Sequence, residues 1–428
     1  MSSLRFFLLV ALLATIALAH PSPARKLAAR SFKVPRSLNP AHPRGLNGAD
    51  AMVKAYKKFG WGMIGNKHKK PKPKAATNGT ATSTTNPITP NATQDETGEV
   101  TATPEQNAAL FLSPVKIGGQ TLNMDFDTGS SDLWVFSTSL SAAERAGHTI
   151  FDPTKSSTFS AVANAKFSIS YGDGSGAAGT VGTDVVNIGG ATVTSQAVEV
   201  ATAVSQSFVA DTATDGLVGL AFSVLNTVTI GNVKTPQKTF FDNVMGDLDE
   251  PVFTANLKND TTGTYEFGKI DTTQFTGALS WTPVDAATGF WQFNSTSFAI
   301  NGKTQQNANA SPAIADTGTS LLLVDDAVAT AYYAQVQGAT LDQNQGGFTY
   351  PCTATLPDLS VAIGANYMAT IPGDQITFAT TDATGTTCFG GVQSNGGANL
   401  QIYGDTMFKA QFVAFNGGNQ SLGLAPKA

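Results

Sequence analysis

Phe126-Asp127-Thr128-Gly129-Ser130-Ser131 returns as Ala315-Asp316-Thr317-Gly318-Thr319-Ser320, 189 residues further on, and this repeat decides the reading of the chain. Each copy is an apolar residue, an Asp, a Thr, a Gly and two hydroxyl residues. Apolar stretches lead into each copy (Leu122-Asn123-Met124-Asp125-Phe126; Ala313-Ile314-Ala315) and out of it (Leu133-Trp134-Val135-Phe136; Leu321-Leu322-Leu323-Val324). The pattern predicts a buried strand, a tight turn carrying a carboxylate, and a second buried segment, built twice.

Two carboxyl groups brought face to face cannot both ionise cheaply, because like charges at close range raise one pKa strongly. Such a pair holds one shared proton. One member can draw a proton from water while the other gives one to a carbonyl oxygen. Glycine at the third position lets two backbones approach closely. The hydroxyls of Ser130 and Thr319 are placed to hydrogen-bond the outer carboxylate oxygens. The bland alternative is a pair of Asx turns closing hairpins. The matched apolar surroundings of both copies weigh against it.

With 428 residues and 41% hydrophobic side chains, the chain has room for two or three domains with a real core. Short Val/Ile/Phe/Thr-rich runs between Gly, Asn and Asp point to mostly β structure with few helices. Charge is segregated: residues 1–74 carry 15 Lys and Arg against one acid, Asp50, whereas residues 75–428 carry 11 against 30. A basic leader on an acidic body is the pattern of a removable prosegment held electrostatically. A nucleic-acid arm is the rival reading, disfavoured by the Pro/Thr-rich linker that follows, so no nucleic-acid partner is expected.

Arg5, the apolar run Phe6–Ile16 and Ala17-Leu18-Ala19 form a secretory signal peptide over residues 1–19. No other segment is apolar over 18 residues, so no membrane partner is expected and the product is read as secreted. In that compartment Cys352 and Cys388 most simply form one disulfide, worth about 3–4 kcal/mol on a chain-entropy argument. Sequons occur at Asn78, Asn91, Asn259, Asn294 and Asn419; a sixth at Asn309 is weakened by Pro312.

Residues 20–70 form a basic, Pro-punctuated segment read as a propeptide, with a helical piece at residues 49–60. Residues 71–104 are dominated by Pro, Thr, Asn and Ala and read as a linker containing the activation cleavage. The packed body is expected from about Asn107, within a domain spanning 105–428 whose halves divide near residue 285. Beyond residue 68 the only histidine is His148, which leaves a Ser-His-Asp triad, a Cys-His dyad and a His/Cys zinc site without members. Neither a Walker loop nor a dinucleotide fingerprint is present, and no metal or other cofactor is expected. Hydrolysis by carboxylates alone remains.

The body resembles the pepsin-family aspartic endopeptidases, and among them the secreted acid proteases of filamentous fungi of the penicillopepsin and aspergillopepsin type. The likeness is carried by Asp127-Thr128-Gly129-Ser130-Ser131-Asp132-Leu133-Trp134-Val135-Phe136, Tyr171-Gly172-Asp173-Gly174-Ser175, Asp215-Gly216-Leu217-Val218-Gly219, Ala315-Asp316-Thr317-Gly318-Thr319 and Ile402-Tyr403-Gly404-Asp405. It implies an all-β fold of two lobes with a central cleft, each lobe giving one aspartate, and few short helices. Leu217-Val218-Gly219 and Ile402-Tyr403-Gly404 would be strands threaded through each lobe's active-site loop. Asp127 and Asp316 would hold the nucleophilic water, Thr128 and Thr317 would brace the loops, and Ser130 and Thr319 would orient the carboxylates. Tyr171, Gly172 and Asp173 would lie on a flap over the substrate, with the Tyr171 hydroxyl in reach of Trp134. Lys58-Phe59 resembles the Lys-aromatic pair that family prosegments lay over the aspartates.

The resemblance implies a zymogen acting in acid on proteins and peptides, preferring apolar residues beside the cut. Asp173 implies tolerance of lysine on the N-terminal side of it. A monomer is expected, with its own propeptide as an internal partner. Tyr403 stands where Leu or Phe is usual in the family, and an acidic residue with Tyr is missing before the first core strand. Two other classes fit parts of the chain. A catalytically dead pepsin-like binding protein would be expected to lose an Asp or Gly of the motifs, and a wall-associated β protein would leave the duplicated motif unexplained.

Overall fold

The computed structural model describes residues 47–61, 98–104, 111–171, 175–259, 261–382 and 384–428. Gln120–Asp127 shows how the strands arise: Leu122, Met124 and Phe126 point into the core, while Thr121 and Asn123 face outward. The strand pairs antiparallel with Phe111–Ile117, and from Asp125 onward it is buried on both faces.

At Asp127 the chain turns and returns as Leu133–Val135. A third strand, Gly216–Gly219, lies between the two arms, parallel to the first and antiparallel to the second. The second half repeats the arrangement: Gln401–Tyr403 runs parallel to Ala313–Ala315 and antiparallel to Leu322–Val324. Both threaded strands therefore take the places expected of them. A glycine closes each for a steric reason, Gly219 as the last residue of the first and Gly404 directly after the second. A Cβ on Gly219 would meet Ser131 Cα at 2.5 Å, and one on Gly404 would meet the Thr319 carbonyl at 2.1 Å. The contact lets backbone bonds tie strand to loop: Leu220 N donates to Asp127 O at 2.8 Å, and Asp405 N to Thr319 O at 2.8 Å.

Two β-rich lobes result, as expected, with only short helices. Among the described residues, 15 strands join one continuous sheet that carries the N-terminal lobe and continues beneath the C-terminal one. Gly98–Pro104 is its bridge, pairing with Gly263–Phe267 on one side and with Phe111-Leu112 on the other. The packed body thus begins upstream of the expected Asn107, inside the stretch read as linker. Composition hid this strand because only Val100 is a large apolar residue; the partner strands supply its hydrogen bonds. The C-terminal lobe adds a five-stranded sheet around the second threaded strand and two four-stranded sheets. Cys352 and Cys388 are joined, with Cα atoms 5.0 Å apart.

One core cluster runs under both loops and contains Phe126, Tyr265, Trp291, Phe253 and Phe415. The Phe126 and Tyr265 rings lie 4.9 Å apart, and Phe253 stacks on Phe415 at 4.4 Å. Such a floor holds the two turns at a fixed separation.

The basic N-terminal stretch contributes the helix Gly48–Lys58. Asn47 caps it by accepting from Asp50 N at 2.9 Å, Asp50 lies in the first turn, and Lys57 and Lys58 lie in the last, as the helix dipole favours. Ala51, Met52, Ala55 and Tyr56 fall on one stripe and pack on Ile314, Leu321, Leu323, Phe389 and Ile402 of the C-terminal lobe. Burying Met52 and Tyr56 contributes about 1.5–3 kcal/mol each. The Tyr56 hydroxyl donates to Ser394 O at 2.7 Å. Among the described residues no helix is long and apolar enough to cross a membrane.

Candidate active site

The two turns meet face to face. Thr128 Oγ1 donates to Ala315 O at 2.9 Å and Thr317 Oγ1 to Phe126 O at 2.6 Å, while Thr317 N donates to Thr128 Oγ1 at 3.0 Å and Thr128 N to Thr317 Oγ1 at 3.2 Å. This reciprocal clasp is buried and sets the distance between the lobes' loops. Asp127 and Asp316 are 1% and 0% exposed, so neither carboxylate can rely on bulk water.

Each carboxylate is held in the same way. Gly129 N and Ser130 Oγ donate to Asp127 Oδ1 and Oδ2 at 2.8 and 2.6 Å; Gly318 N and Thr319 Oγ1 donate to Asp316 Oδ1 and Oδ2 at 3.0 and 2.5 Å. The inner oxygens face one another across a single cation. Lys58 Nζ lies 2.9 Å from Asp127 Oδ1 and 2.9 Å from both oxygens of Asp316. Its side chain is 7% exposed, whereas Lys57 points to solvent. Phe59 and Trp61 continue the chain past the site, with the Phe59 ring 6.3 Å from Phe290.

Burial alone would push the Lys58 ammonium below its usual range, but the two carboxylates outweigh it and hold the pKa above that range. Burial works to raise Asp127, yet Lys58 and the hydrogen bonds to its carboxylate bring it below the ordinary value. Asp316 is pushed up to about 6 by burial, with Lys58 opposing and Asp127 assisting. Two carboxyl groups this close and this buried titrate as a unit, and the Lys58 charge between them favours their ionised form.

Trp134 Nε1 donates to the Tyr171 hydroxyl at 2.9 Å, and Phe208 packs edge-on against both rings. Gly172 and Asp173 lie outside the described residues, as do the sequons Asn78 and Asn91. Asn259, Asn294, Asn309 and Asn419 are exposed. His148 stacks on Phe136 at 3.8 Å and hydrogen-bonds the Thr214 carbonyl at 2.9 Å, a packing role. Tyr403, the unusual residue in the second threaded strand, shares a 2.5 Å hydrogen bond with Ser295, so its hydroxyl is satisfied in the core.

Sequence reasoning missed two buried acids near the pair. Asp125, two residues before Asp127 on the same strand face, is pushed up to about 7 by burial. Asp405 is raised well above the carboxylate range by burial, and neither of its oxygens has a hydrogen-bond partner among the described residues. The Asp in Gly404-Asp405 was the available signal; its burial was not.

Two lobes, each giving one aspartate from a strand–turn–strand with a third strand threaded through it, define an aspartic-peptidase architecture. Residues 110–427 match the family model for eukaryotic aspartyl proteases, and the chain belongs to that family. It is similar to an aspergillopepsin A-like aspartic endopeptidase of Aspergillus fumigatus (48% identical; 99% of each chain). It is also similar to penicillopepsin-1 of Penicillium rubens (49%; 77% of this chain and 81% of the relative) and endothiapepsin of Cryphonectria parasitica (49%; 77% and 78%). The protein is an aspartic-type endopeptidase of the fungal pepsin-like class.

Proposed function

We propose that the chain is the precursor of a secreted acid endopeptidase in which Asp127 and Asp316 activate one water for attack on the peptide carbonyl. The observation that carries this is the pair of inner carboxylate oxygens converging on one buried point, with the outer oxygens tied back by Ser130 and Thr319. In the mature enzyme the water takes the place held by Lys58 Nζ. The ionised carboxylate removes its proton, the protonated one donates to the carbonyl oxygen, and a gem-diol collapses as the amine leaves with a proton. Thr128 and Thr317 keep the loops at the separation this exchange needs.

The leader acts as an internal plug. Residues 1–19 direct export, residues 20–70 are the propeptide, and the activating cut falls between the helix ending at Lys58 and the strand beginning at Gly98. Lys58 supports this by replacing the water with an ammonium that favours ionised carboxylates. Tyr171 closes over the substrate with Gly172 and Asp173, Trp134 fixes its hydroxyl, and the cleft prefers apolar side chains on both sides of the cut. Asp173 admits lysine before it. The acidic body, poor in Lys and Arg, gathers less positive charge as pH falls, which suits work outside the cell in acid. The enzyme acts as a monomer.

The test is cleavage of acid-denatured haemoglobin by the activated protein, with and without pepstatin, beside Asp127→Asn and Asp316→Asn. Both variants should fold and lose turnover by at least about 10³-fold, the scale for removing a proton-transfer group. Full turnover by either would overturn the assignment, and an inactive wild type would point to a pepsin-like binding protein.

A further inference from the structure

The stacking of His148 on Phe136 turns both of its ring nitrogens to backbone carbonyls. Nδ1 lies 2.9 Å from Thr214 O, and Nε2 lies 3.3 Å from Val209 O. A carbonyl oxygen only accepts, so both contacts are hydrogen bonds only when both nitrogens carry a proton. The neutral ring has one N–H, and either tautomer sets a nitrogen lone pair against an oxygen. The arrangement therefore fits the imidazolium.

One of these carbonyls belongs to the helix Gln206–Ala210, whose late carbonyls lack donors within the helix. Asp211 N donates to the carbonyls of Ser207 and Phe208 at 3.2 Å each, and His148 meets that of Val209. At the other end Ser205 N donates to Gly176 O at 2.9 Å, the first residue of the strand Gly176–Ile188. Between these anchors Phe208 sets its ring centre 4.8 Å from that of Trp134 and 5.7 Å from that of Tyr171. The helix that His148 holds is thus the one that backs the Trp134–Tyr171 hydrogen bond.

The helix itself carries no ionisable side chain. Asp211 and Asp215 flank Thr214, and Glu144 and Arg145 precede His148 on its own loop. Asp211 accepts from Thr214 Oγ1 at 3.0 Å, and the buried Asp215 accepts from Asn123 N at 2.8 Å and Thr149 N at 2.7 Å. Burial raises Asp215, while those two amides and the His148 charge oppose it. Glu144 accepts from Ser141 N at 3.0 Å, and Arg145 donates to Thr138 O at 3.2 Å.

We propose that His148 is a positioning residue for peptide cleavage: as an imidazolium it clamps the helix Gln206–Ala210, so that Phe208 holds Tyr171 and Trp134 in their working arrangement. The inference rests on the reading of Tyr171 as the flap residue. An imidazole exchanges its second proton within about pH 5–8. The clamp is complete in acid and loses one of its two hydrogen bonds towards neutrality. The enzyme thereby has an acid requirement besides that of its carboxyl pair.

His148→Phe keeps a ring on Phe136 and has no donor. Hydrogen exchange is measured on the full chain carrying Asp127→Asn, which keeps it from digesting itself, with and without His148→Phe. After correction for intrinsic rates, amides of residues 206–211 should be about 10-fold better protected with histidine at pH 4.5, and the difference should shrink at pH 7. The activated enzymes are compared on a peptide with Phe before the cut. The kcat/KM of His148→Phe should be lower by about 10-fold at pH 4.5 and approach that of the parent at pH 6.5, since titration of the carboxyl pair cancels in the ratio. His148→Gln, with a single amide group, serves should the first variant fold poorly; it should fall below the parent in acid and match it near neutrality. Equal protection in parent and variants at both pH values would overturn the clamp. A protection difference beside an activity ratio constant with pH would overturn its action on the flap. The exchange measurement needs no activity, so failure of the clamp and failure of the peptidase reading show separately.

Discussion

Gly318 and Asp127 meet across the two loops: a Cβ built on Gly318 falls 2.3 Å from Asp127 Oδ1 and 2.6 Å from Lys58 Nζ. Its counterpart on Gly129 falls 2.5 Å from Asp316 Oδ1. Both glycines are required by the opposite carboxylate, not by a left-handed backbone. Gly318→Ala should therefore push the carboxylates apart by a fraction of an ångström to an ångström while leaving the sheets intact. The expected loss in kcat is about 100-fold, the cost of such a misplacement, with far-ultraviolet circular dichroism unchanged. Wild-type kcat in a folded Gly318→Ala would show that the site tolerates the displacement.

Latency should depend on Lys58. In Lys58→Met the helix keeps its apolar contacts through Met52 and Tyr56 but leaves two carboxylates facing each other without a cation. Cleavage of a fluorogenic peptide by this precursor at pH 6 should exceed that of the wild-type precursor by about 10-fold or more. The same contact sets the pH of release. Asp316, pushed up to about 6, loses its charge first as pH falls. Asp127, lowered in the presence of Lys58, contributes an ion pair that is complete above the ordinary carboxylate range and lost as pH falls through the lowered value. Acidified wild type should then process itself, and the Asp127→Asn precursor should not. Equal processing of both would show that another protease does the cutting.

A second carboxyl pair should limit stability on the alkaline side. Asp132 and Glu199 are both 0% exposed. Asp132 Oδ1 accepts from Thr227 N and Oγ1 at 3.1 and 2.5 Å, and Glu199 Oε1 accepts from Asn226 Nδ2 at 2.9 Å, leaving Oδ2 and Oε2 without another donor among the described residues. Burial raises both pKa values, and the charge of Asp132 raises Glu199 further. A carboxyl held above its unfolded value gives stability that is present in acid and falls as pH rises through the raised value. Glu199→Gln, which can donate permanently to Asp132, should lift Tm at pH 8 by a few degrees and change it little at pH 4. Parallel pH profiles for variant and wild type would assign the alkaline loss elsewhere.

Lysine recognition should be separable from general cleavage. For Asp173→Ser, the ratio of cleavage after Lys to cleavage after Phe should fall by about 10-fold, the scale of one charge-assisted hydrogen bond. Trypsinogen activation reads the first and a phenylalanine peptide the second. A proportional fall in both would make Asp173 a shaper of the Tyr171 flap.

The turn carrying each Asp, the glycine after it and the apolar strands around it were legible in the sequence, because each is a local pattern of side-chain period and turn chemistry. The threaded strands were legible only through resemblance, since Leu217-Val218-Gly219 by itself is any short buried strand. Gly98–Pro104 was misread, because a polar strand whose stability comes from its neighbours' hydrogen bonds has no hydrophobic signature of its own.

By itself the sequence determined which side chains are available for chemistry: two matched carboxylates, a single histidine beyond residue 68, and a basic N-terminal stretch on an acidic remainder. Only the tertiary structure decided how those groups act on one another. It brings Lys58 to 2.9 Å from both aspartates and buries Asp132 beside Glu199. The reason is physical. Residue type and local period fix what a side chain can do, whereas its charge state depends on desolvation and on neighbours distant in sequence, which exist only once the chain has folded.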